Sequence, residues 1–309
     1  MIRIPTCARL CLLAALAFSA SIAAAPSELT PGKARLAGLI TDSAIAEASG
    51  LAASNVHPGI LWTHNDSGNS ADIYAIDAQA NRRARVRIDN AANFDWEDMA
   101  SYRDGNKRWL LIADSGDNGG VRKELQLYFV PEPLELIDGA ASAARTMRFV
   151  WPDGARDCEA VGVDVQERAI YLISKKRVPP ELYRLPLDGD STAAPLVAER
   201  VSLLAHIAQP DTGDLQRNPV YGRYRAQISS MDISADGSKM AVLNYLHARI
   251  YTRLPSESWA TAVMRQPVDL PFPWMTQAEA IAFSADANSL WIGSEILPAP
   301  LLQIPLSAP

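Results

Sequence analysis

Four glutamates recur at the start of a repeated sequence pattern, and that recurrence could bring their carboxylates to one place. The pattern occurs five times, at intervals of 50 to 70 residues. Its first residues are Glu47, Glu97, Glu159, Ser229 and Glu279. Converging carboxylates repel one another, and proteins relieve this repulsion by binding a cation or by raising pKa values. Because Ca²⁺ takes several hard oxygen ligands in flexible geometry, we expect these five positions to bind calcium.

A second set of polar residues follows the apolar run that comes after each copy. These residues are Asp66, Asp114, Lys175, Asn244 and Glu295. Two of its acids, Asp66 and Asp114, could serve as a general base, and so could the nearby His64. The alternative is that a single histidine or acid in a loop is solvated or bonded to the backbone.

One basic run, Lys175-Lys176-Arg177, interrupts the acidic set. Cationic side chains beside a metal site are suited to binding a phosphate or another small anion. A solvated run whose charges offset the nearby acids is the alternative. We predict that Lys175, Lys176 and Arg177 bind substrate. Cys158 lies between two acids that disfavour a thiolate, so we interpret it as a small buried residue.

Short strands are predicted to carry these residues. Alternating apolar runs recur between Gly, Pro, Asn and Asp residues, and long amphipathic helix patterns are missing. Repeats of about 40 to 50 residues with four strands each are typical of a β-propeller. Tight turns at Asp104-Gly105 and Asp236-Gly237 join the first two strands of two repeats. We therefore predict an all-β fold, a five-bladed β-propeller.

The two ends of the chain are predicted to close the ring. The residues after Glu279 suffice for the first strands of a last blade, and residues 34–40 can supply its missing outer strand. Joining the first and last strands in one blade removes an exposed sheet edge. A six-bladed ring is the alternative, with a blade hidden between Glu159 and Ser229. We favour an insertion at residues 205–225, which are rich in Gln, Asn, Pro, Asp and Gly.

Strand direction predicts where the two polar sets lie. Consecutive strands of a blade run antiparallel, so the start of the first strand and the end of the second share one end of the ring. Both sets should therefore lie on one face of the propeller. The residues that start the first strands should surround the axis.

The chain begins like a secretory signal peptide, with Arg3 and Arg9 near an apolar run that ends at Ala25. We predict a signal peptide at residues 1–25 and a single propeller domain at residues 26–309. Cleavage would leave one cysteine and no intrachain disulfide, which suits the bacterial periplasm or secretion. The net charge of −6 argues against nucleic acid as a partner, and no second apolar run predicts a membrane span.

Four short motifs are spread over the chain. They are Ser49-Gly50-Leu51, residues 64–68 (His-Asn-Asp-Ser-Gly), residues 93–100 and residues 277–282. These motifs resemble those of secreted bacterial propellers described as phytase-like or SdiA-regulated. The resemblance implies a propeller, in a group whose function is often poorly defined.

Two further motifs, residues 97–100 (Glu-Asp-Met-Ala) and residues 228–230 (Ile-Ser-Ser), carry a second resemblance. They are similar to the Glu-Trp-Met-Ala and Phe-Ser-Ser motifs of calcium-activated nucleotidases of the apyrase type. The resemblance implies five blades and one axial calcium held by inner-strand residues. That family also places Glu at the positions of Glu159 and Glu279, and a basic run near Lys175.

The chain departs from the nucleotidase pattern in two places. Residues 65–68 (Asn-Asp-Ser-Gly) replace an Asp-Asp-Arg-Thr-Gly run and lack its Arg. Glu47 stands where a Ser is expected. Both departures weaken the argument for nucleotide hydrolysis more than the argument for an axial calcium.

Together these features predict a calcium-dependent hydrolase acting on a phosphoester, either a nucleotide or a phytate-like compound. Its partner would be a small anionic substrate. The alternative is a non-catalytic binding propeller, in which the axial metal ion is structural and the loop face binds a protein. Likeness of fold does not choose between them, because propellers host many unrelated functions.

Overall fold

Short strands, nearly all paired antiparallel, make up about half of the structure, a computed structural model that describes residues 29–307. They form five separate sheets. The predicted signal peptide, residues 1–25, lies outside the described residues. No helix within residues 29–307 is long and apolar enough to span a membrane.

Each sheet is one blade, in which the strands follow one another from the innermost outward. Blade one contains Ala48–Ala53, Ile60–Asn65, Asp72–Asp77 and Arg82–Ile88. Blade two contains Trp96–Asp104, Lys107–Asp114, Leu125–Pro131 and Arg145–Val150. Blade three contains Cys158–Asp164, Ala169–Ser174, Glu181–Pro186 and Glu199–Leu203. Blade four contains Ile228–Ile233, Lys239–Asn244, Ala248–Thr252 and Val268–Leu270. Blade five contains Ala278–Phe283, Ser289–Ser294, Ala299–Ser307 and Arg35–Ile40.

The ring closes as predicted, through an N-terminal strand. Arg35–Ile40 pairs antiparallel with Ala299–Ser307, and Thr30–Pro31 adds a short pair to the same strand. Each innermost strand also contacts the innermost strand of the next blade, and that of blade five contacts that of blade one. The two ends of the chain therefore hold each other in one sheet.

The long interval between blades three and four contains no further blade. It holds a short helix, Thr212–Arg217, and a 3₁₀ turn, Gly222–Tyr224, with no strand between Leu203 and Ile228. The predicted insertion is confirmed, and the six-bladed alternative is wrong. A second short helix, Trp259–Ala262, precedes the last strand of blade four.

Two small edge strands were not predicted. Gly139–Ala141 pairs parallel with the outer strand of blade one, and Leu196–Val197 pairs parallel with the outer strand of blade two. Each belongs to a connection within the following blade. They cover outer edges that would otherwise be open to pairing with another chain.

Apolar side chains fill five layers, one between each pair of neighbouring blades. The layer between blades one and two, for example, contains Trp62, Trp96 and Met99. Both faces of an inner strand are therefore buried, and this packing holds the blades as one ring. The two predicted tight turns are present, with Gly105 at φ +58° and Gly237 at φ +63°. Glycine suits these turns because other residues avoid positive φ.

Candidate metal centre

A β-bulge lies near the start of every innermost strand. In each blade the register against the second strand shifts by one residue at that point. The residues that face the end of the second strand are Ala48, Trp96, Cys158, Ile228 and Ala278. A bulge bends its strand and redirects a side chain, and these bulges lie at the mouth of the central channel.

The register corrects one member of the predicted metal-binding set. The next residues along the five strands are Ser49, Glu97, Glu159, Ser229 and Glu279. Ser49, and not Glu47, therefore occupies the blade-one position. Glu47 lies two residues earlier, is exposed, and accepts a hydrogen bond from Asn69 Nδ2 at 2.7 Å.

A second ring of residues lies two positions earlier in the chain, each immediately before the first strand of its blade. Its members are Glu47, Asp95, Asp157, Gln227 and Gln277. The carboxylates of Asp95 and Asp157 lie close to that of Glu97, so on blades two and three this set lies beside the first. Asp95 and Asp157 were not predicted as metal ligands, because local pattern does not show which way a side chain points beside a bulge.

Two groups of three carboxylates come together where these rings meet. Asp66, Asp95 and Glu97 form one group. Glu97, Asp157 and Glu159 form the other. Within each group, one carboxylate oxygen from every member lies within 4.8 Å of the others. Glu47 and Glu279 belong to neither group, so the predicted acids converge only in part.

Glu97 is common to both groups and has the least compensated charge. Only 5 % of its surface is exposed, and no group within residues 29–307 donates a hydrogen bond to its carboxylate or forms an ion pair with it. Burial raises the pKa of Glu97 well above its usual value, and the charge of Asp66 raises it further, while Lys175 opposes the shift. A buried acid without donors is suited to a cation, and its oxygens are the hard ligands that Ca²⁺ prefers.

Gly116 allows two of these acids to approach its backbone closely. A Cβ atom at this position would lie 2.1 Å from Glu97 Oε1 and 2.4 Å from Asp95 Cγ, so any other residue would displace them. The Gly116 N–H donates to the Asp95 carbonyl at 3.1 Å. In blades one, three and five the same backbone bond is made by Asp66, Lys175 and Glu295. Blade two thus presents no side chain where the others present a charged one. The oxygen donors gathered beside Gly116 fit a bound calcium ion.

Asp66 is the candidate base that lies at the mouth. It is only partly buried. Burial raises its pKa to about 6, and the charges of Asp95 and Glu279 add to the shift. The carboxylate is thus within the acidic cluster and accessible to water.

The predicted basic run divides between the mouth and an outer cleft. Lys175 forms an ion pair with Glu159, and its side chain is 10 % exposed. Lys176 Nζ lies 2.8 Å from Asp157 Oδ2, with 39 % of the side chain exposed. Arg177 points outward, half exposed. Lys176 and Arg177 line a cleft of about 300 Å³ beside the loop that contains Gly119 and Gly120, and Asp157 lies between this cleft and the mouth.

The opposite side of the mouth satisfies its polar groups internally. Ser229 Oγ donates to the Ala278 carbonyl at 2.7 Å, and the Tyr245 hydroxyl donates to Glu279 Oε1 at 2.8 Å. Burial raises the pKa of Glu295 to about 8, and the charge of Glu279 adds to the shift. These two acids differ from Glu97 because each accepts a hydrogen bond from a neighbouring side chain, Glu279 from Tyr245 and Glu295 from Gln277.

Two of the predicted bases do not reach the mouth. His64 is fully buried, its Nδ1 lies 3.1 Å from the Asn65 carbonyl oxygen, and burial lowers its pKa to about 4. Asp114 is fully buried, pairs with Arg122 at 2.8 Å, and accepts a hydrogen bond from the Asp95 N–H at 3.2 Å. Both side chains are therefore enclosed by the fold, and neither is open to a substrate.

Cys158 is completely buried in the layer between blades two and three, as expected. Burial raises the pKa of its thiol to about 12. The thiol is therefore neutral, and it is no nucleophile at the mouth.

Comparisons with known proteins add no function. No family model matches the chain, and no curated protein matches it significantly. The PQQ-bound aldose sugar dehydrogenase of Streptomyces coelicolor is 9 % identical over 91 % of this chain and 99 % of that chain, with a TM-score of 0.47. The WD40 repeats of RRP9 are 12 % identical over 83 % and 79 %, with a TM-score of 0.43. U3-55K is 13 % identical over 82 % and 79 %, with a TM-score of 0.42. The strand pairing therefore carries the conclusion that the chain folds as a five-bladed β-propeller.

Proposed function

We propose that this protein is a calcium-dependent hydrolase of phosphoesters that works outside the cytoplasm. The observation that carries the proposal is the pair of carboxylate groups that share the unpaired Glu97, with a basic cleft beside them. Phosphoester hydrolysis needs both a cation near the phosphoryl group and positive charge for the remaining anion. Asp157 links the two regions, because it belongs to one carboxylate group and pairs with Lys176.

The acids of the mouth have two tasks in this proposal, metal binding and proton transfer, and Asp66 takes part in both. Glu97 and its carboxylate neighbours would hold the calcium ion, which supplies a Lewis acid that polarises a phosphoryl oxygen. Lys176 and Arg177 bind the anionic part of the substrate and orient it. Asp66 accepts a hydrogen bond from the attacking water and takes its proton. A nucleotide and a phytate-like compound are the two substrate types that we would test first.

A binding propeller with a structural ion is the second candidate, and one observation favours it. His64 and Asp114 are buried, which leaves Asp66 as the one remaining base of the three that the sequence indicated. A site with a single exposed base can still bind calcium for stability alone. In that case the loop face would bind a protein partner.

Phosphate release decides between the two candidates. The purified mature protein is incubated with ATP or phytate, in excess Ca²⁺ or in EDTA, and inorganic phosphate is measured. We expect release only with Ca²⁺, and at least about a hundredfold slower release by Asp66→Asn, which retains the shape of the side chain. No release by folded, calcium-loaded protein would leave the binding propeller as the function.

A further inference from the structure

The two carboxylate groups of the mouth differ in the cations that already accompany them. Glu159 is paired with the nearly buried Lys175, and Asp157 is paired with Lys176. Asp66 and Asp95 form no ion pair within residues 29–307. The acids on the blade-three side of the mouth therefore have lysines as ion-pair partners. On the blade-two side the Arg122 guanidinium pairs with Asp114 and donates to the Gly116 carbonyl, and it forms no ion pair with Asp95 or Glu97.

The Lys175 ammonium lies where a metal ion bound to Glu159 would be expected. It lies against Glu159 and 6.0 Å from the ring centroid of Tyr245, which belongs to blade four. A lysine this deeply buried is rare unless its charge is paired, and the ion pair with Glu159 accounts for the burial of Lys175. A divalent cation beside Glu159 would meet this charge at close range, and the repulsion would be strong in such a buried place.

The blade-two side has the opposite character. Gly116 has no side chain, and the carboxylates of Glu97 and Asp95 occupy the volume that its Cβ would fill. Glu97 is almost fully buried and lacks any donor within the described chain.

We propose that the divalent cation binds off the propeller axis, between Asp66, Asp95 and Glu97, and that the Lys175 ammonium fills the matching place beside Glu159. The mouth would then hold two cations, one supplied by the chain and one taken from solution. This inference rests on the calcium ion of the proposed function, but it does not depend on hydrolysis.

Two equivalent aspartates provide a matched test. Asp95 and Asp157 occupy the same position in blades two and three, and calorimetric titration of the metal-free mature protein with CaCl₂ compares their roles. Asp95→Asn should weaken Ca²⁺ binding by about thirtyfold or more, because it removes a ligand charge. Asp157→Asn should weaken it by about threefold at most, because Lys176 already offsets that charge. Equal losses would mean a centrally placed ion and would overturn the inference, and so would a larger loss for Asp157→Asn.

The lysine is tested by removing its charge. Lys175→Gln should bind Ca²⁺ about tenfold more tightly than the wild type, because repulsion is removed and Glu159 is released. Lys176→Gln is the matched control, and it should change the affinity by about twofold or less, because this lysine lies in the outer cleft. Unchanged or weaker binding by folded Lys175→Gln would contradict a resident ammonium. If that variant does not fold, the aspartate pair still decides the position of the ion.

The binding data remain separate from the catalytic question. A wild type that binds Ca²⁺ with this pattern but releases no phosphate would support the off-axis site and reject the hydrolase. A wild type that binds no Ca²⁺ at all would overturn both proposals.

Discussion

Two buried acids that are neighbours in the chain, Glu97 at the mouth and Asp98 deeper in the ring, have very different surroundings. At the mouth, Glu97 lies among acids and has no hydrogen-bond donor within residues 29–307, and the nearby Lys175 is paired with Glu159 instead. Deeper in the ring, Asp98 follows Glu97 in the chain and accepts four hydrogen bonds. The donors are the N–H groups of Met99, Val161 and Met231 and the hydroxyl of Ser230.

Asp98 thereby joins strands of several blades. Val161 belongs to blade three, and Met231 and Ser230 belong to blade four. Ser230 Oγ in turn accepts a hydrogen bond from the Ile281 N–H of blade five at 3.1 Å. Burial raises the pKa of Asp98, whereas the backbone donors oppose that shift. At the mouth, neighbouring acids add to the effect of burial instead.

This comparison distinguishes an acid that stabilises the fold from acids that are suited to a ligand. Burial disfavours the charged form in both places. The interior supplies the compensating dipoles from the protein itself, so Asp98 needs nothing further. At the mouth the protein supplies no such donor to Glu97, so its charge is not fully compensated, and a cation from solution can compensate it.

The largest expected effect comes from removing the interior acid. Asp98→Ala should lower the free energy of unfolding by about 3 kcal/mol or more, because three backbone N–H groups lose their acceptor in a buried place. Urea unfolding measures the change, and the loss should be the same in Ca²⁺ and in EDTA. Recovery of stability on adding Ca²⁺ would show that Asp98 belongs to the metal site and would contradict the distinction drawn between Asp98 and Glu97.

A mouth acid should behave in the opposite way. Glu97→Gln should leave the metal-free protein as stable as the wild type or slightly more stable, because it removes an uncompensated buried charge. The wild type should gain about 2.7 kcal/mol at a Ca²⁺ concentration a hundred times the Kd, and Glu97→Gln should lose that gain. Thermal melts with and without Ca²⁺ make the measurement, and a destabilised metal-free variant would contradict this interpretation.

The pH dependence of stability should reveal the crowded acids. Burial raises the pKa of Asp66 from 3.8 to about 6 and that of Glu295 from 4.5 to about 8. The native state then holds protons that the unfolded state has released, so stability falls as the pH rises through about 4 to 8. Urea midpoints in EDTA at pH 5 and pH 8 test the decrease, and Ca²⁺ should reduce it. A gain in the stability of the metal-free protein from pH 5 to pH 8 would contradict this prediction.

The smallest effects are expected in the outer cleft. Lys176→Ala and Arg177→Ala should each raise the KM for a phosphoester by about three- to tenfold and leave kcat and stability nearly unchanged, because both side chains are largely hydrated. Lys107→Ala is the control, because Lys107 is exposed in the turn at the opposite end of blade two. Equal changes in all three variants would indicate a general charge effect and not a binding cleft.

Much of the architecture could be predicted because it depends on local pattern. Alternating apolar runs and a repeated polar start indicate five blades, and the residues at both ends suffice to complete the last one. The burial of Cys158 and the strandless insertion at residues 205–225 follow from composition in the same way. Antiparallel pairing then places the polar strand ends on one face, which the structure bears out for Glu97, Glu159 and Asp66.

The sequence by itself thus determined the fold, its closure and the face that carries the acids, because strand period and repeat length are local properties of the chain. Tertiary structure alone decided that Ser49 replaces Glu47 in the inner ring, that Asp95 joins Glu97, and that Lys175 lies against Glu159. A bulge adds one residue to a strand, and one residue reverses the direction of every side chain before it. Local pattern does not reveal such a shift, because the partner strand defines it.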